Sequence, residues 1–97
     1  MAHQIIIKKR FENRLNEILV YLEKDWNKKV ANQFLEKLYL RIDEIRFHPY
    51  IGALTGVGDT RSISITKHNR LFYRVAGNKV FIVTIYDTRR KNYPPKA

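Results

Sequence analysis

The chain has 97 residues, 44% hydrophobic and 29% charged, and its nineteen Lys and Arg against nine Asp and Glu give a formal charge of +10. That length suits a single domain over residues 1–97 with no room for a second core, and the composition excludes a disordered chain. The lack of cysteine excludes a disulfide framework, a thiolate metal site and a cysteine nucleophile, while the charge favours nucleic acid, an anionic membrane surface or an acidic protein as partner.

Residues 3–8, HQIIIK, are a β-branched run suited to a strand. The period then changes. Phe11, Leu15, Ile18, Leu19 and Leu22 recur at spacings of three and four, which draws one apolar stripe along a helix. A second stripe follows in Val30, Phe34, Leu35, Leu38, Ile42 and Ile45, and Asn27 between the two is placed to cap the second helix. Two long helices with so short a connection pack as an antiparallel hairpin. Pro49 and Gly52 in HPYIG stop the second helix.

Ala53–Asp59 carries Gly56 and Gly58 and reads as a loop. Arg61–Thr66 alternates, with Ile63 and Ile65 on one side and Ser62, Ser64 and Thr66 on the other. Lys67-His68-Asn69 reads as a turn. Residues 70–76 form a strand with Leu71, Tyr73 and Val75 on one face and Arg70, Phe72 and Arg74 on the other. Gly77-Asn78 signals a tight hairpin, and Lys79–Tyr86, apolar on both faces, belongs inside the sheet. The expected fold is α+β, in the order β-α-α-β-β-β, with a helix hairpin on a small, mainly antiparallel sheet.

The longest apolar runs, Ile5–Ile7 and Val80–Val83, fall far short of the roughly 20 residues that span a bilayer. No signal-peptide segment is visible at the N-terminus. No membrane partner is expected, and the cytoplasm is the default location.

Charge is unevenly placed. Residues 1–47 hold ten basic and seven acidic side chains (+3), whereas residues 48–97 hold nine and two (+7). The helices carry mixed charges, as solvated faces do. Arg61, Arg70, Arg74, Arg89 and Arg90 lie on or beside strands, and guanidinium binds phosphate or carboxylate bidentately. Plainer roles fit several neighbours: Tyr73 alternates with core residues, His48 ends a helix, and Asp87 can hold Arg89. Trp26 and Tyr21 either pack together or present a protein-binding patch. Three scattered histidines make no zinc site, and no cofactor is implied.

This order of elements resembles the RelE/ParE toxin superfamily. The residues that carry the likeness are Tyr21, Trp26, Ala31 and Phe34 on the helix pair, the turn His48–Gly52, Arg61 opening a strand, Arg70–Tyr73, and the strand end Val80–Arg89. The resemblance implies the toxin half of a bacterial type II toxin–antitoxin pair, inhibiting growth and neutralised by a small, acidic, partly disordered antitoxin. The sheet edges and the groove between hairpin and sheet are the expected docking sites for such a partner.

RelE-like members are endoribonucleases that cleave messenger RNA on the ribosome, and this is the expected action; the alternative is that of ParE-like members, which bind DNA gyrase and lack the nuclease residues. An inactive relative that only binds its antitoxin has the same appearance. Cleavage without a metal requires the 2′-hydroxyl to attack the neighbouring phosphate, with the attack oriented, the proton moved and the phosphorane charge stabilised. Carried over by position, the resemblance implies Arg61, Arg70, Arg89 and Tyr93 as catalytic residues, and Arg74, Arg90, Lys91 and Lys67 as RNA contacts. The pattern's second basic residue on the first meander strand is replaced by Ile63 and Ser64, and no histidine takes the acid–base place in the tail. On the nuclease reading, guanidinium groups from separate strands converge on one anion-receiving hollow of the sheet.

Overall fold

The protein's computed structural model describes residues 2–89. The apolar run at the start forms β1 (Gln4–Ile7), and the two stripes become α1 (Lys9–Asp25) and α2 (Lys28–Phe47). Asn27 caps α2 as expected: its side-chain oxygen accepts from the Val30 N–H at 2.9 Å. Pro49 disfavours helical backbone at His48, which leaves the helix at φ −135° and ψ 71°.

Four strands follow: β2 (Ala53–Leu54), β3 (Arg61–Ser64), β4 (Asn69–Ala76) and β5 (Lys79–Asp87). The sheet order is β1-β5-β4-β3-β2. β1 runs parallel to β5, and the β2–β3, β3–β4 and β4–β5 pairs are antiparallel. Gly77 takes φ 59° at the β4–β5 hairpin, a conformation costly for any residue with a Cβ. The chain thus has the expected α+β architecture, with one addition. Ala53 and Leu54, expected in a loop, pair with Ser62 and Arg61 as a two-residue edge strand. So short a strand has no visible alternation, and its pairing is set by the neighbouring β3.

Both helices lie on one face of the sheet. Phe11 from α1 and Phe34, Leu38 and Ile45 from α2 pack with Leu71, Tyr73, Val80, Ile82 and Ile85 into a single core. Fully burying one such side chain stabilises the fold by roughly 1.5–3 kcal/mol. The β4–β5 pairing shifts at Phe72/Tyr73: Thr84 faces Phe72 and Ile82 faces Tyr73, so Val83 is the extra residue of a bulge. The bulge reverses the alternation, and Ile82 and Ile85 both reach the core. Arg41 ties α2 to β3, donating from Nε to the Ser64 carbonyl at 2.8 Å.

Candidate functional site

Register decides which side chains can meet. On β4, Leu71, Tyr73 and Val75 face the helices, while Arg70, Phe72 and Arg74 face away. Arg61 lies opposite Tyr73, and Ser64 lies opposite Arg70. Arg61 is therefore on the helix side of the sheet and Arg70 is on the far side.

Each arginine of the meander has its own local acceptor. Arg61 donates from Nη1 to the Gly52 carbonyl at 2.8 Å, and its guanidinium lies 5.0 Å from the centre of the Tyr50 ring. It thereby braces the turn after α2. In the same corner the Gly52 N–H donates to Tyr73 Oη at 2.8 Å, while burial pushes the Tyr73 hydroxyl pKa up. Tyr73 is a core residue, as its alternation indicates.

Arg74 forms an ion pair with Asp59 at 2.7 Å, which lowers the carboxyl pKa and raises that of the guanidinium. Arg89 grips Asp87 with two parallel bonds, Nε to Oδ1 at 3.0 Å and Nη2 to Oδ2 at 2.8 Å, and its backbone N–H donates to the same carboxylate at 2.9 Å. The Arg89 hydrogen bond holds the Asp87 carboxyl below its usual range. Arg70 donates from Nε and Nη2 to Ser62 Oγ at 3.3 and 3.2 Å.

Arg61, Arg70 and Arg89 thus do not form one hollow: Arg61 is opposed to Arg70 across the sheet, and Arg89 is bound to a carboxylate past the end of β5. The expected convergence fails because a guanidinium settles on the nearest strong acceptor, and the β-period alternates faces at every residue. Lys67 is exposed in the β3–β4 turn. Arg90, Lys91 and Tyr93 lie outside the described residues.

A different basic cluster does assemble. β1 pairs with β5 only as far as Ile82, so the first turns of α1 lie beside the remainder of β5. There Arg10 donates from Nη2 to Tyr86 Oη at 2.7 Å, and Arg14 stacks over the Tyr86 ring at 5.0 Å from its centre. Phe72 meets the same ring edge-on at 5.8 Å, and Arg70 is the direct cross-strand partner of Tyr86. Two residues away, Thr84 Oγ is buried without a hydrogen-bond partner. Sequence reasoning passed over Arg10 and Arg14 as part of a solvated helix face. Their signal was a spacing of four beside the apolar stripe, which aims both side chains at one point.

Past this cluster a hollow of about 370 Å³ opens between α1 and the end of β5, with Arg14, Ile18, Tyr21, Ile85 and Arg89 among its walls. A second hollow shares Tyr21 and Arg89 and continues along Trp26, Phe34, Lys37 and His68. Tyr21 and Trp26 are half-exposed to exposed. They present an aromatic border to a groove with cations on both sides.

Comparison with known proteins gives this architecture a family. The chain matches, over residues 5–92, the model described as the ParE toxin of the type II toxin-antitoxin system parDE. It belongs to that family, within the RelE/ParE superfamily of type II toxins. A comparison with curated proteins returns no sequence match.

Among solved structures, the chromosomal ParDE toxin–antitoxin system of P. aeruginosa is similar with a TM-score of 0.76 at 12% identity, covering 89% of this chain and 96% of that one. A mutant of the E. coli toxin RelE in the free state aligns with a TM-score of 0.61 at 21% identity, over 95% and 90% of the two chains. The toxin–antitoxin complex RelBE2 from Mycobacterium tuberculosis aligns with a TM-score of 0.62 at 13% identity, over 90% and 99%. At these identities the likeness speaks for the fold. Among the described residues no helix is long and apolar enough to cross a membrane.

Proposed function

We propose that this toxin inhibits growth by engaging a protein target, DNA gyrase, rather than by cutting messenger RNA. The observation that carries this reading is the far side of β3. It presents Ser62 and Ser64 beside Arg70, where stabilising a phosphorane calls for more positive charge. Arg61, the nearest basic residue on that strand, supports the Gly52 turn on the opposite side. Arg89 is already held by Asp87. A binding toxin needs no such set; it needs a surface, and the groove bordered by Tyr21 and Trp26 supplies one. The family's model is that of a ParE toxin, which agrees with this reading.

The same groove suits a cognate antitoxin. An acidic, partly disordered segment can lay an apolar face on Tyr21, Leu22 and Trp26 and set its carboxylates against Arg14, Lys37 and Arg89. The neighbouring ParDE and RelBE2 structures are toxin–antitoxin assemblies, in line with such a partner.

The test is expression of the toxin in growing bacteria, with primer extension on messenger RNA and, in parallel, a supercoiling assay of gyrase with the purified protein. We expect intact messages, a DNA-damage response and lost supercoiling. Discrete cuts within translated codons that vanish on Arg70→Ala would restore the ribosome and its messenger RNA as the target.

A further inference from the structure

We propose that Lys8, Arg10 and Arg14, set against the aromatic side chains of β5, form a binding ridge for the phosphodiester backbone of nucleic acid. The ridge goes beyond the growth-inhibiting action and adjoins the antitoxin groove, whose wall it shares at Arg14 and Tyr86.

Lys8 Nζ lies 5.7 Å from the centre of the Phe81 ring. Arg10 and Arg14 follow on Tyr86, the first through a hydrogen bond and the second by stacking. Phe81 and Tyr86 of β5 thus support three cations from the start of α1 and the residue before it. An arginine laid on a ring keeps its N–H edge free to fork onto an anion, and its position is fixed before the anion arrives. Such preorganisation lowers the entropy lost on binding.

The row has little internal neutralisation. The one carboxylate in contact with it, among the described residues, is Glu17, at 3.4 Å from Arg14 Nη1 and 64% exposed. Arg74 and Arg89 are neutralised more closely, each holding a carboxylate at 2.7–2.8 Å.

An acidic protein is the less suitable occupant. A protein interface needs an apolar core inside its polar rim. Between Lys8 and Leu19 no large hydrophobic side chain is exposed; such side chains resume at Val20 and at Tyr21, which borders the groove. A predominantly cationic strip with no exposed apolar centre matches the interfaces that proteins make with nucleic acid. Its contacts go to phosphate, so binding carries no base sequence.

The experiment is fluorescence anisotropy of the full-length protein with a short labelled DNA duplex and with a labelled single-stranded RNA, across a series of salt concentrations. The expected result is that Arg10→Gln with Arg14→Gln weakens binding about tenfold and reduces the salt slope by about 2. Lys28→Gln with Lys29→Gln removes the same charge from the exposed start of α2 and should change affinity less than about twofold.

Tyr86→Phe keeps the ring but removes the Arg10 anchor, and should weaken binding by roughly threefold. It also serves as the reading if the double variant melts early. Tighter binding of duplex assigns the ridge to DNA, and tighter binding of the single strand assigns it to RNA; both support the proposal. Equal weakening by the two charge-removing pairs overturns it, because the protein's net charge then suffices. Displacement of nucleic acid by polyglutamate at equal charge concentration also overturns it, marking the strip as a carboxylate site.

Discussion

The two faces of β4 obey different rules. Towards the helices, Leu71 and Tyr73 are fully buried, and Tyr73 Oη, the polar atom of the pair, is bonded to the Gly52 N–H. Away from them, Arg70 and Arg74 share the far face with Phe72, Ser62, Thr84 and Tyr86, which are buried although no helix covers that side. On the first face, position follows from apolar periodicity, since burial is non-directional and needs only the right period and volume. On the second, position follows from which acceptor lies within reach of a long side chain. The lesson is that alternation tells where a strand arginine starts, and the acceptors around it tell where its charge ends.

The comparison is broken most severely at Gly52, where the helix-facing side has no slack. A Cβ there would stand 2.6 Å from Tyr73 Oη and 2.9 Å from the Ser62 carbonyl oxygen. The second atom is β3 backbone and cannot rotate away. Gly52→Ala is expected to cost about 2–3 kcal/mol, seen as a lower urea midpoint with an unchanged slope. Tyr73→Phe is gentler: it keeps the ring and strips the acceptor from the buried Gly52 N–H, for an expected loss of about 1–2 kcal/mol. A loss below about 0.5 kcal/mol would mean that another group satisfies that N–H, and that the hydroxyl is not what holds the turn to the core.

This corner also marks where the sequence stops being legible. Helix stripes, the Asn27 cap, the Pro49 stop and the Gly77 hairpin were all readable, because each is a local preference with a known spacing. The place of β5 inside the sheet was readable from its double-sided apolarity, although the bulge at Val83 that brings both Ile82 and Ile85 to the core was not. The Gly52–Tyr73 bond joins residues 21 apart, and no pattern announces it.

The site was less legible for the same reason. Arg61 and Arg70 look alike in sequence, yet the alternation and the Gly52 carbonyl send them to opposite sides of the sheet. Asp87 was the exception: an acid two residues before an arginine, at a strand end, is a local arrangement. Arg10 and Arg14 meet Tyr86 across more than seventy residues of chain, so their helix spacing showed a shared direction without its destination.

The smallest effect sharpens the comparison where charge meets the sheet end. Asp87 is held below its ordinary pKa, first by the Arg89 side chain, against the opposing cost of burial. A lowered carboxyl pKa stabilises the fold above the unfolded value, near 3.8, and that stabilisation disappears as pH falls through the lower folded value. Asp87→Asn should therefore cost about 0.5–1 kcal/mol between roughly pH 8 and pH 5, and the gap between wild type and variant should begin to narrow near about pH 4 and close only as pH falls through the lower folded value. Urea melts across that range measure it. The Asp59–Arg74 pair has side chains 58% and 56% exposed, against 27% for Asp87, so water screens it more. Asp59→Asn should show no resolvable step. If both variants gave the same step, partial burial at the end of β5 would not be what distinguishes the two pairs, and Asp87 would fix Arg89 no more firmly than an exposed ion pair does.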